Sequence, residues 1–131
     1  MDKNLKYHIN LILTFEKDIN IDEVEKYIGI KAYRKSLLKE SKIGEDNKKS
    51  AKIWFKSREY SSENTYEVVE EFLISIYEKF KEIPSILNEF IGNFGVQLIF
   101  SSFDERPIIE LTKKSIEILH NIGANFSVNF I

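Results

Sequence analysis

Two histidines, His8 and His120, are the only imidazoles in this 131-residue sequence, and imidazole is the side chain best suited to proton transfer near neutral pH. A metal or general-base site would need them beside other ligands, yet they stand far apart and neither belongs to a His-x-x-x-His or His-x-Glu spacing. The ordinary places for them are the outward side of a strand for His8 and a helix C-terminus for His120, where the helix dipole favours a positive charge. Serines are plentiful, but there is no Gly-x-Ser-x-Gly elbow to present one as a nucleophile. The absence of cysteine excludes thiolate catalysis, Cys-based zinc sites and disulfides. No catalytic, cofactor or metal residue is assigned.

Charge gives a stronger signal. The overall net charge is −2, but Lys31 to Arg58 carries ten bases and three acids, a net of +7, and Glu59 to Glu89 carries eight acids and two lysines, a net of −6. Catalytic carboxylate pairs need burial or a close neighbour to shift a pKa, and these glutamates fall on the polar side of a helix. Glu63, Glu67, Glu70, Glu71 and Glu78 are therefore candidate partner-binding residues, unless the two charged segments neutralise each other in the fold. Complementary charge would steer them toward a basic partner. The single Trp54 is the other candidate: flanked by Ile53 and Phe55, it points to the opposite sheet face, where it is either covered by a loop or exposed for a partner. The basic segment, with Tyr33, Trp54 and Phe55 near it, could meet phosphates and stack on bases. A pI of about 5.8 is not that of a dedicated nucleic-acid binder, so nucleic acid is not the expected partner.

The elements that must position these residues follow from periodicity. Tyr7, Ile9, Leu11, Leu13 and Phe15 alternate as a strand with one buried face. Val24, Tyr27 and Ile28 suggest a short helix stopped by Gly29, and Lys31 to Ser50, with weak periodicity, reads as a long basic loop. Ala51 to Lys56 is the second strand. Asn64 with Glu67 opens the longest helix, striped by Tyr66, Val69, Leu73, Ile76, Tyr77 and Phe80. Pro84 begins a short helix ended by a turn at Gly92 to Gly95; the Gly-x-x-Gly there has no Lys or Arg to clamp a phosphate. Val96, Leu98 and Phe100 form the third strand. Thr112 caps a helix closed by Gly123, and Phe126, Val128 and Phe130 form the last strand.

The order β-α-β-α-α-β-α-β in one domain, residues 1–131, predicts an α/β (α+β) two-layer sandwich. Its one four-stranded sheet would carry helices mainly on one face, in an arrangement related to ferredoxin-like folds. The start lacks a signal-peptide core and no apolar run approaches the ~20 residues of a membrane span, so a cytoplasmic protein with no membrane partner is expected.

Several features in order resemble the bacterial domain-of-unknown-function family 4279: Tyr27-Ile28-Gly29-Ile30 after the first strand, Trp54 in a strand, Ser61-Ser62 leading into the Glu-rich helix, and Pro107-Ile108-Ile109-Glu110-Leu111 before a helix, Ile122-Gly123 and a final strand. Ala32 stands where the family often has Pro, and no Gly immediately precedes Trp54. The resemblance implies an α/β fold and no established activity. By association it also points to an immunity protein that neutralises a cognate bacterial toxin, such as a basic nuclease, by direct binding without enzymatic activity. Two other readings stay open: a small enzyme with a deep pocket near Trp54, His8 and the basic loop, and a nucleic-acid-binding or regulatory module.

Overall fold

In the computed structural model, residues 4–15, 22, 25–26, 29, 32–42, 47–61, 64–81 and 94–131 are described, with backbone alone for 15, 33–42, 47–51, 80 and 81. The strands are β1 (Lys6–Phe15), β2 (Ala32–Lys42), β3 (Asn47–Lys56), β4 (Tyr60–Ser61), β5 (Phe94–Ser102) and β6 (Asn125–Phe130); the helices are α1 (Thr65–Lys81) and α2 (Lys113–Ile122). They form a mixed α+β structure with one open sheet in the order β2-β3-β1-β5-β6, and the two-residue β4 pairs with β1 where β3 leaves off. All pairings are antiparallel except β5–β6, a parallel pair joined through α2.

Alternation makes the core face. Tyr7, Ile9, Leu11 and Leu13 of β1, Ile53 and Phe55 of β3, and Phe94, Val96, Leu98 and Phe100 of β5 are buried together with Val68, Val69, Phe72, Leu73 and Ile76 of α1 and Ile118, Leu119 and Ile122 of α2. Both described helices thus pack on the same face of the sheet. Asn64 O accepts the Val68 N–H at 3.1 Å, opening α1 as its N-cap. Thr112 in extended conformation (φ −71°, ψ 158°) accepts the Ser115 N–H on its hydroxyl. At the other end of α2, Gly123 at φ 65° donates to His120 O and Ala124 to Leu119 O, a Schellman closure that a side chain at 123 would oppose.

Several expectations need correction. The segment expected as a long basic loop at about 31–50 is mostly β2 and the start of β3, a long hairpin, so the sheet has five principal strands and not four. Its pairing slips between Ala32 and Arg34 and again between Ser36 and Lys39. Each slip inserts one extra residue into β2 relative to β3 and exchanges the faces, which erases the two-residue period from the sequence. Two consecutive strands, β2 and β3, also replace the expected single strand between the first two helices. Gly95 lies inside β5 and not in a turn. The buried stripe of α1 is broader than expected because the helix touches α2 as well as the sheet: Val68 and Phe72 are buried, while Tyr66 is 38% exposed. For the short helix after β1, Asp22, Glu25 and Lys26 are helical and Gly29, at φ 74°, donates its N–H to Glu25 O at 2.9 Å. The helix expected at Pro84 lies outside the described residues.

Candidate functional site

The core alternation that buries the odd residues of β1 sends the even ones to the opposite face, on which neither described helix packs. Register arranges that face in rows across the strands. One row runs Trp54, Ile12, Gly95, Asn125; the next runs Lys56, Asn10, Gln97, Ser127; the third has His8, Ile99 and Asn129. Lys52, beside Thr14, extends it past Trp54. Directly opposed residues in antiparallel strands share a face and come within contact distance. The β6 members, Asn125, Ser127 and Asn129, are exposed, as are Lys52 and Lys56, while Trp54 and Ile12 are half-buried and Ile99 is buried.

Asn10 stands at the centre of this face and is only 7% exposed, and its Oδ1 is buried without a hydrogen-bond partner. A buried amide oxygen left without a donor is costly, by about 1–3 kcal/mol, which makes it the most conspicuous polar atom of the sheet. Burial and the Lys56 ammonium lower the His8 pKa from its ordinary value, against an opposing pull from Glu59, so neutral imidazole is favoured there.

One end of the sheet is shaped by Ser57. Between Lys56 and Tyr60 the chain carries one residue more than β1 opposite it, and Ser57 bridges the bulge. Its N–H donates to Ile9 O at 2.8 Å, and its hydroxyl accepts the Ile9 N–H at 2.8 Å and donates to Arg58 O. The bulge turns Arg58 over the Tyr60 ring at 4.0 Å.

The candidate residues do not converge. Trp54 lies half-buried on the sheet face opposite α1 and α2. On the helix layer, Glu67, Glu71 and Glu78 are exposed, and at 100° per residue they fall within an arc of about 40° on α1. Glu70 departs from the solvated face expected for it: half-buried, it accepts the Thr112 hydroxyl at 2.9 Å and ties α1 to the start of α2. Glu63 lies outside the described residues. His8 and Trp54 do share that face, two rows apart. The described cleft of about 180 Å³ lies elsewhere, lined by Tyr66, Glu110, Leu111 and Thr112 in the helix layer. His120 sits in the last turn of α2, exposed. Among the described residues no cluster of three His, Asp or Glu is placed to hold a metal ion, and no helix is long and apolar enough to cross a membrane.

Sequence reasoning passed over Asn10 and Ser57. An Asn inside an otherwise apolar strand is the available signal for the first, because Asn is depleted in strands. Ser57 carried none, since its role depends on a bulge.

A search of the curated proteins and one of the solved structures each returned no match. A protein-family model described as "Domain of unknown function (DUF4279)" matches residues 6–130, from the first residue of β1 to the last of β6. The chain belongs to that family.

Proposed function

We propose that this chain is a non-enzymatic binding protein that acts by direct protein–protein contact in the cytoplasm, as an immunity protein that occludes a cognate bacterial toxin. What supports this reading is the segregation of charge by layer. The net +7 segment forms the β2–β3 hairpin at one side of the sheet, and the following acidic segment places Glu67, Glu71 and Glu78 on the exposed side of α1, in the helix layer. A ridge of three carboxylates fits a basic partner such as a nuclease domain, whose encounter it would accelerate.

The test is co-expression with the products of neighbouring genes, followed by titration of any stoichiometric complex. The triple variant Glu67→Lys, Glu71→Lys, Glu78→Lys is expected to slow association by about tenfold at low salt while changing dissociation less. A toxic partner bound equally well by the triple variant would remove α1 as the docking face. Absence of both a complex and rescue from toxicity would remove the immunity reading.

A further inference from the structure

We propose that the outer edge of β6 is a self-association surface, on which a second copy of this chain pairs its own β6 antiparallel and extends the sheet across a two-fold axis. The inference does not rest on the immunity reading, whose carboxylates lie on α1.

Backbone direction is the first reason. Ile131 donates its N–H to Phe100 O at 2.9 Å, so its backbone groups aim at β5. Successive residues of a strand aim theirs to opposite sides. Asn125, Ser127 and Asn129 therefore bond toward β5, and the N–H and C=O of Phe126, Val128 and Phe130 point outward. β6 ends the strand order, and among the described residues none of those three makes a hydrogen bond on its outer side. Six aligned donors and acceptors form a template for another strand.

Self-complementarity is the second. The opposite edge strand, β2, carries Arg34, Lys35, Lys39 and Lys42, and two such strands side by side would set like charges together. The β6 sequence, Asn-Phe-Ser-Val-Asn-Phe, has neither charge nor proline, and from Phe126 to Phe130 it is nearly palindromic about Val128. With the two-fold axis at Val128, that residue meets its own counterpart, Phe126 meets the second Phe130, and Ser127 meets the second Asn129. This register satisfies all six outward groups of each strand. It also keeps apolar side chains on one face and the hydroxyl and amides on the other.

The helix layer is the third. α2 joins β5 to β6 and lies over them, so the axis sets the two α2 helices about two strand spacings apart, roughly 10 Å, which is a helix-packing distance. Ile116 is 55% exposed and lies about 100° around α2 from the fully buried Ser115. Parallel crossovers are right-handed almost without exception, and in that hand the step turns Ile116 away from α1 and toward the β6 edge. One occupant, a second copy, thus covers both the strand edge and the isoleucine beside it.

Sedimentation equilibrium of the whole protein between about 1 and about 500 μM, the range suited to a small interface, should show a reversible monomer–dimer equilibrium. Ser127 and Asn129 are exposed, so charges placed there meet like charges chiefly across the axis. The pair Ser127→Lys, Asn129→Lys should weaken dimerisation at least about tenfold, as should Ser127→Glu, Asn129→Glu, with the urea midpoint of the monomer unchanged. An equimolar mixture of the two should regain the dimer as a one-to-one heterodimer.

Cross-linking then fixes the register, because the chain has no cysteine of its own. Val128→Cys sets two thiols on Cα atoms about 5.5 Å apart, within disulfide reach, whereas Ser127→Cys leaves them diagonal at roughly 8 Å. Under mild oxidation the first should form a covalent dimer at least about tenfold faster than the second. A monomer up to the highest concentration, a dimer indifferent to the lysine pair, a mixture that does not reassociate, or equal cross-linking at 127 and 128 would each overturn the proposal.

Discussion

At the end of the sheet bearing β4, rings from four adjacent strands touch in sequence. Tyr60 stacks on Tyr7 (5.5 Å), Tyr7 meets Phe100 (5.5 Å), and Phe100 stacks on Phe130 (5.3 Å), with Phe103 edge-on to Phe130. Arg58 covers one end of the row and Arg106, 4.7 Å over Phe130, the other. Asn4 and Asp104 close the same end by two hydrogen bonds of 2.9 and 3.0 Å. The β2–β3 hairpin slips twice in register, as the aromatic end does at Ser57 and between Lys6 and Tyr7, but its paired residues beyond Lys52 are Lys, Ser, Glu and Asn. Aromatic cross-strand pairs add to the energy of burial and specify one register, because a one-residue slip would turn each ring to the wrong face. Lys and Ser pairs specify register weakly, which leaves the hairpin positions available for surface chemistry.

This contrast predicts a gradient of mutational cost. Phe100→Ala, which empties the middle of the aromatic row, should lower unfolding free energy by about 3–5 kcal/mol in urea titrations. A loss below about 1 kcal/mol would mean that the row does not hold the sheet. Ser57→Ala strips the Ile9 N–H of its acceptor and should cost about 1–3 kcal/mol, whereas Ser57→Thr, which retains the hydroxyl, should cost less. Thr112→Ala, removing the α2 cap and the bond to Glu70, should cost about 1 kcal/mol. Lys48→Glu in the hairpin, opposite Ser41, should stay within about 0.5 kcal/mol.

His8, between the two regions, adds a pH dependence. Its folded-state pKa lies below the unfolded value of 6.5, so the folded state binds the proton less readily. Stability from this group is complete above pH 6.5 and declines as pH falls below it toward the lowered folded-state value. His8→Gln should flatten the stability profile in that window, with Lys56 and Glu59 unchanged; a profile identical to that of the parent would show that His8 does not contribute.

The same contrast explains what the sequence revealed. β1, β5 and β6 were legible because the β1–β5 pairing runs without a slip from Tyr7 to Leu13, its one shift falling at the strand end between Lys6 and Tyr7, and the β5–β6 pairing has none. Thr112 and Gly123 marked α2 because caps are local in chemistry. β2 was hidden because two bulges exchange its faces, so that Leu37 and Leu38 fall between paired positions in the register. The acid-rich stretch was legible as a helix, yet the bond from Thr112 to Glu70 joins residues distant in sequence and has no local signature. Trp54 could be assigned to the outer face from Ile53 and Phe55 alone. Asn10 gained its meaning from neighbours on two other strands, Lys56 and Gln97.

The position of β1 bears on how the molecule is made. It is the first strand in the chain and the centre of the sheet, with Leu11 facing Phe55 on one side and Val96 on the other. During synthesis its alternating apolar row emerges long before β5 can cover the second edge, and closing so long a loop must precede the contacts that reward it. Folding should therefore proceed on the millisecond-to-second scale of domains with non-local pairing, with β1 exposed to wrong strands in the interval. The lysines of the hairpin, translated next and paired first, would keep that intermediate soluble.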